Sequence, residues 1–207
     1  MRIVIFANGR MDWPFEIQND DFIIAADGGA RHCLDRQIRP DIVIGDMDSL
    51  SATDIARLET DGAKIITYPA RKDFTDLELA LRKARELAAD EVLLLGALGA
   101  RWDQTIANLL LPSAYADMSI RMLDGPQEIS FLRGGGELEI AGQRGDTVSL
   151  IPLAGDAIGV NTQNLEYPLN GDSLVFGSSR GVSNVLTAES ARIFLQEGLL
   201  LCVVIHQ

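Results

Sequence analysis

DIVIGDMDSL, residues 41–50, runs three branched apolar residues, Ile42, Val43 and Ile44, into a glycine and then into two aspartates, Asp46 and Asp48, one residue apart. A short apolar run of this kind reads as a strand covered on both faces, as in a parallel sheet. The same pattern recurs on either side. RIVIFAN (2–8), DFIIAAD (21–27), AKIITYP (63–69) and EVLLLGA (91–97) read as further buried strands. Between the last two lies FTDLELALRKARELAAD (74–90), where Leu77, Leu81, Ala84 and Ala88 form one apolar stripe at helical spacing. Thr75 and Glu78 have the spacing of a capping box. A second helix is expected to start near Asp103 and to carry Ile106, Leu109 and Leu110. Strands alternating with helices predict a doubly wound, mostly parallel α/β domain.

After about residue 122 the pattern changes. FLRGGGELEIAGQRGDTVSLIPLAG alternates apolar and polar residues between glycine-rich turns, with Leu138 and Ile140 on one face and Val148 and Leu150 on another short strand. The rest of the chain also reads as short strands and turns, which predicts a C-terminal antiparallel β-sandwich. The boundary is expected near Asp124–Pro126, giving an α/β domain over 1–123 and a β domain over 124–207.

The 207 residues are 47% hydrophobic and 23% charged, with a formal net charge of −12. Such an acidic chain is a poor nucleic-acid binder, because that function draws on clustered Lys and Arg. No run reaches the roughly 18 apolar residues of a membrane helix. The first residues turn polar too soon for a secretory signal. Cys33 and Cys202 are too few for a disulfide framework or a zinc site and read as small buried hydrophobes, so a cytoplasmic location is expected. His32 and His206 lie too far apart in sequence to suggest a histidine metal site.

Four segments follow the strands directly: DGGA (27–30), GDMDS (45–49), ARKDFTD (70–76) and GALGARWDQ (96–104). Ligands of open parallel sheets bind beyond the carboxyl ends of the strands. These segments therefore bring Asp27, Asp46, Asp48, Asp73, Asp76, Asp103, Lys72 and Arg101 to one edge. Each also has a local reading. Asp27-Gly28-Gly29 suits a turn that uses glycine's positive φ, Asp46 and Asp48 suit the approach to a helix capped by Ser49 or Ser51, and Asp73 and Asp76 suit a helix dipole. Taken together, so many carboxylates at one edge repel each other unless a cation intervenes. Magnesium takes one or two carboxylates and completes its shell with water and substrate phosphates. Lys72 and Arg101 supply charge for phosphate oxygens.

These segments, in this order, resemble the thiamine pyrophosphokinase family. The likeness continues through GDTVSLIPL, NLEYPL, GVSN and the closing GLLLCVVI, and so spans nearly the whole chain. The resemblance implies an α/β nucleotide-binding domain, a β-sandwich domain and a homodimer with the active site at the interface, thiamine lying between the β domain of one subunit and the α/β domain of the other. It implies transfer of the diphosphoryl group of ATP to the hydroxyl of thiamine, with Mg²⁺ as cofactor. It places Asp46, Asp48 and Asp73 on the metal. Asp27, Asp76, Arg101, Asp103, Gln104 and Asn108 come to ATP and the reacting groups; from their place at the strand ends Gly28 and Lys72 are expected beside ATP too, and Asp76 or Asp103 is the expected proton acceptor. Ser183 and Asn184 come to thiamine.

Three positions depart from the family's pattern. Gln104 stands where many bacterial members have His, which favours amide hydrogen bonding over general-base chemistry. Asn164 replaces a glycine and is expected to take the left-handed backbone that Asn tolerates. Val185 stands where an acidic residue is common. Trp102 is expected to pack against the sheet rather than to stack on adenine or thiamine, and Tyr167 to be a strand or turn residue rather than a ligand contact. Two other functions compete: a pyrophosphokinase acting on another alcohol such as a pterin carbinol, and a non-catalytic regulator that binds nucleotide or thiamine diphosphate. A dinucleotide-binding fold is disfavoured, since ANGRMDW (7–13) offers no G-x-G-x-x-G.

Overall fold

The computed structural model describes residues 1–11, 15–99 and 101–207. Asp12 and Trp13 of ANGRMDW, and Ala100 of GALGARWDQ, lie outside the described residues. The chain divides into two compact units, Met1–Gly125 and Pro126–Gln207.

In the first unit the strands are β1 (Arg2–Phe6), β2 (Phe22–Ala26), β3 (Ile42–Gly45), β4 (Lys64–Thr67), β5 (Glu91–Leu95) and β6 (Ser119–Asp124). They lie in the order β6-β5-β1-β2-β3-β4, and every pairing among them is parallel. β1, β2, β3 and β5 are buried almost throughout, as continuous Ile, Val and Leu runs require. β4 is an edge strand, and its Lys64 and Thr67 are exposed. The helices are α1 (Gly29–Asp35), α2 (Ala52–Thr60), α3 (Asp76–Glu86) and α4 (Trp102–Leu110).

The capping chemistry sits partly where the sequence places it. Ser51 starts α2 with a complete capping box to Asp54, so Asp46 and Asp48 stay in the loop ahead of that helix. Thr75 caps α3 by accepting from the Glu78 N–H. The Glu78 carboxylate goes on to Arg82 at 3.0 Å. α3 ends earlier than the apolar stripe suggests. Leu77, Leu81 and Ala84 are buried, but Ala88 turns left-handed at φ 56 and leaves the stripe. Ala89 N–H then bonds back to Ala84 O at 3.1 Å, closing the helix end. Trp102 is 78% exposed, which corrects the packing role expected of it.

The second unit holds β7 (Gln127–Arg133), β8 (Gly136–Ala141), β9 (Thr147–Pro152), β10 (Ala157–Gln163), β11 (Asn170–Leu174), β12 (Asn184–Val185), β13 (Ser190–Leu195) and β14 (Leu199–Ile205). One antiparallel layer runs β12-β9-β14-β7 and the other β11-β10-β13-β8. Val148, Leu150, Leu200 and Val204 of the first share one core with Ile140, Val160, Leu174 and Ile193 of the second. That shared core makes the unit a sandwich. Cys202 belongs to it and Cys33 to the core of the first unit; burial pushes both thiols up to about 12.

Candidate active site

The sheet order of the first unit fixes where a ligand can bind. β1 sends the chain toward β2 on one side, and its other neighbour β5 sends it toward β6 on the opposite side. The loops leaving these two strands therefore part, and a crevice opens at their carboxyl ends. A cavity of about 650 Å³ lies there. Ala7, Asn8 and Gly9 line it from the loop after β1, and Asp27 from the end of β2. Asp46, Asp48 and Ser49 enter after β3, and Lys72, Phe74, Thr75 and Asp76 on the approach to α3. Gly96 to Gly99 follow β5, and Arg101, Gln104, Thr105 and Asn108 come from the start and inner face of α4.

The floor is built by close approach. Gly9 N–H bonds Gly96 O at 2.7 Å and Arg10 N–H bonds Leu98 O at 3.1 Å, so the loops after β1 and β5 are joined. A Cβ on Gly9 would stand 2.4 Å from Gly96 O. In DGGA the glycines serve the same purpose rather than a positive φ. Gly28 has an ordinary helical φ of −58. A Cβ there would meet the Asn8 side chain at 2.4 Å, and one on Gly29 would meet Phe6 O at 2.0 Å. The residue that turns left-handed is Asp27 itself, at φ 43.

One oxygen each from Asp27, Asp46 and Asp76 fall within 4.8 Å of one another. At that separation each pair of like charges costs on the order of 3 kcal/mol in a medium of effective dielectric about 20. Gly45, at φ 153, makes room for the group, since a Cβ there would stand 2.8 Å from Asp27 Cβ and 2.9 Å from Asp76 Oδ1. Asp27 is 6% exposed, and its Oδ1 is buried without a hydrogen bond. Lys72 Nζ lies 2.9 Å from Asp76 Oδ1 and 3.5 Å from Asp46 Oδ2. The first contact is within ion-pair distance but not aligned as a hydrogen bond, so Asp76 Oδ1 also lacks one.

The electrostatics follow from these contacts. A hydrogen bond from Asp48 N–H, with help from Lys72, holds the Asp46 carboxyl below its ordinary range despite desolvation. Burial pushes Asp76 up; Lys72 opposes this, and the charges of Asp27 and Asp46 add to it. Burial works against the Lys72 ammonium, but Asp76 and Asp46 outweigh it and raise its pKa. Such an all-carboxylate set, with Asp27 Oδ1 buried and unpartnered, fits a hard divalent cation.

The other expected residues are less uniform. Asp48 lines the cavity, is exposed, and lies outside the three-carboxylate group. Asp73 is exposed and does not line the cavity. Asp103 is exposed and pairs with Arg101 at 2.5 Å, and that contact lowers its carboxyl pKa and raises the guanidinium's. Asn108 donates to Ala97 O at 2.7 Å, so it fastens the loop after β5 while facing the cavity. Phe74, with the Arg82 guanidinium 3.6 Å over its ring, and Asn8 are wall residues not foreseen from the sequence. Asn8 lay in the segment set aside for lacking a dinucleotide motif; the small residues beside it were the usable signal.

The second unit has a cavity of about 230 Å³, lined by residues that include Tyr167, Leu169, Arg180, Val182 and Asn184. Here NLEYPL and GVSN meet. Asn184 Oδ1 accepts from Tyr167 N–H at 3.0 Å and its Nδ2 donates to Tyr167 O at 2.8 Å. Leu165 bridges Leu186, and Asn164 takes the expected left-handed backbone at φ 61. Ser183 is also left-handed at φ 60. Its N–H donates to Ser149 Oγ at 3.0 Å, and it does not line this cavity. Tyr167 is 65% exposed and faces the cavity.

Comparison with known proteins agrees with this layout. The family profile described as "Thiamin pyrophosphokinase, catalytic domain" matches residues 15–122, and "Thiamin pyrophosphokinase, vitamin B1 binding domain" matches residues 137–200. The thiamine pyrophosphokinase of Bacillus subtilis is 30% identical over 183 residues, covering 87% of this chain and 85% of that protein. The crystal structure of thiamine pyrophosphokinase from Bacillus subtilis superposes with a TM-score of 0.90 at 26% identity, covering all of both chains. That of thiamin pyrophosphokinase from Geobacillus thermodenitrificans gives 0.87 at 28% identity, covering 100% of this chain and 98% of that one.

Proposed function

Since the chain belongs to the thiamin pyrophosphokinase family, we propose that it transfers the diphosphoryl group of ATP to the hydroxyl of thiamine, giving thiamine diphosphate and AMP. The observation that carries this reading is the group Asp27, Asp46 and Asp76, with Lys72 among them, at the carboxyl edge of a parallel sheet. A purely binding protein has no need of three converging carboxylates. In the reaction the thiamine oxygen bonds to the β-phosphorus, the bond from that phosphorus to the α,β-bridging oxygen breaks, and AMP departs with that oxygen. Catalysis of this kind is chiefly positioning and charge stabilisation.

Asp46 and Asp76 would hold Mg²⁺, with Asp27 buried behind them and Asp48 facing the same space. The sequence-based set of Asp46, Asp48 and Asp73 thus exchanges its exposed third member for Asp76. The bound ion would neutralise charge on the phosphates. Lys72 and Arg101 point further positive charge at phosphate oxygens. Gln104 and Asn108 present amides to the nucleotide, and Phe74 offers a ring face that Arg82 keeps in place. Neither candidate proton acceptor is singled out by its surroundings: Asp76 would be engaged with the metal, and Asp103 is exposed and stabilised as an anion by Arg101.

The second unit would take thiamine through the turn that Asn184 fastens to Tyr167. A homodimer fits the apolar residues each unit exposes: Trp102, Ile106 and Leu110 along α4, and Tyr167, Phe176 and Val182 in the β unit. The test is a product assay with ATP, Mg²⁺ and thiamine. Equal amounts of AMP and thiamine diphosphate, lost on adding EDTA, are expected. AMP release with a pterin carbinol in preference to thiamine would favour the other pyrophosphokinase. Nucleotide binding without turnover would favour the regulator.

A further inference from the structure

Lys72 stands where the metal would. Its Nζ lies 2.9 Å from Asp76 Oδ1 and 3.5 Å from Asp46 Oδ2, and its side chain is only 12% exposed. A cation on the same carboxylates and an ammonium this close to them repel each other, so the two cannot share the site in this arrangement. The third carboxylate, Asp27, is buried with an unpartnered Oδ1, so the group is left with more acceptor capacity than Lys72 uses. Removing a buried charge's partner is costly, so without metal the loop before α3 depends on this lysine.

We propose that Lys72 is the resident counter-ion of the acidic group and that a divalent cation enters by exchange with its ammonium. The inference rests on the metal reading given above. The exchange has a second consequence. A lysine is a point charge on a flexible four-carbon stem, and Lys72 already lines the nucleotide-sized cavity. Once displaced, its ammonium is free to reach a phosphate there. Metal entry and phosphate contact are thereby linked, and metal should bind more weakly to the empty protein than to the protein holding a triphosphate.

The experiment is calorimetric titration of Mn²⁺ into the nucleotide-free full chain, for the wild type, Lys72→Met and Lys72→Arg, with Tm recorded with and without the metal. Lys72→Met keeps the stem and removes the competing charge. It should bind Mn²⁺ at least about tenfold more tightly, lose Tm in the metal-free state and regain it with metal. Lys72→Arg should retain the weak binding of the wild type. Unchanged or weaker Mn²⁺ binding in a folded Lys72→Met variant would overturn the exchange while leaving the metal site standing. No Mn²⁺ binding to any of the three proteins would overturn the metal site and the exchange together.

Discussion

At the scale of single residues, the account turns on which aspartates share the cluster. Asp76→Asn and Asp46→Asn should each lower kcat roughly 100-fold or more, because charge stabilisation worth several kcal/mol is removed. Asp73→Asn should change kcat less than about threefold, since that side chain is exposed away from the cavity. Steady-state kinetics of the three variants, with circular dichroism to confirm folding, decides the matter. Equal losses for Asp73 and Asp76 would return Asp73 to the metal. Gly45→Ala should lose both activity and roughly 1–3 kcal/mol of stability, because the new methyl meets Asp27 and Asp76 on a backbone that favours glycine. Such details were only half legible beforehand. The sequence shows that acidic residues follow the strands. Which of Asp73 and Asp76 turns inward depends on where Thr75 starts α3, and three residues of loop decide that.

At the scale of elements, caps and turns deliver the side chains. Thr75→Ala removes the cap of α3 and should cost about 1 kcal/mol in thermal denaturation. It should also raise the KM for ATP, because Asp76 is the first residue of that helix. Asn184→Ala breaks both bonds to Tyr167 and should raise the KM for thiamine with little effect on that for ATP. An unchanged thiamine KM would remove this turn from the thiamine side. The parallel strands were plain from their unbroken Ile, Val and Leu runs, and the capping box of α2 explains why GDMDS remains a loop. The end of α3 was hidden, because Ala88 has good helix propensity and leaves the helix only through the left-handed closure that buries Ala89. The exposed Trp102 escaped too, since local periodicity does not say which face of α4 lacks a neighbour.

At the scale of the whole molecule, the two kinds of hydrophobic patterning, continuous in the first half and alternating in the second, announced two architectures. The pairing of buried Asp146 with the partly exposed His206 shows what patterning cannot announce, since the two lie 60 residues apart and meet at 3.0 Å. Burial opposes the Asp146 charge, but hydrogen bonds from Gln143 N–H, His206 and Gln207 N–H outweigh it and lower its pKa below the ordinary 3.8. Its stabilisation is therefore complete above that ordinary value and is lost as pH falls through the lower folded one. Asp146→Asn should flatten the acid limb of the Tm profile; an unchanged limb would assign acid unfolding to other groups. No helix among the described residues is long and apolar enough to cross a membrane. The central claim is that the β- and γ-phosphates leave ATP together and pass to one acceptor. ATP labelled at the γ-phosphorus, incubated with Mg²⁺ and thiamine, tests it most directly. The account predicts the label in thiamine diphosphate, with an equal amount of unlabelled AMP. Label in orthophosphate, or ADP as the nucleotide product, would contradict it.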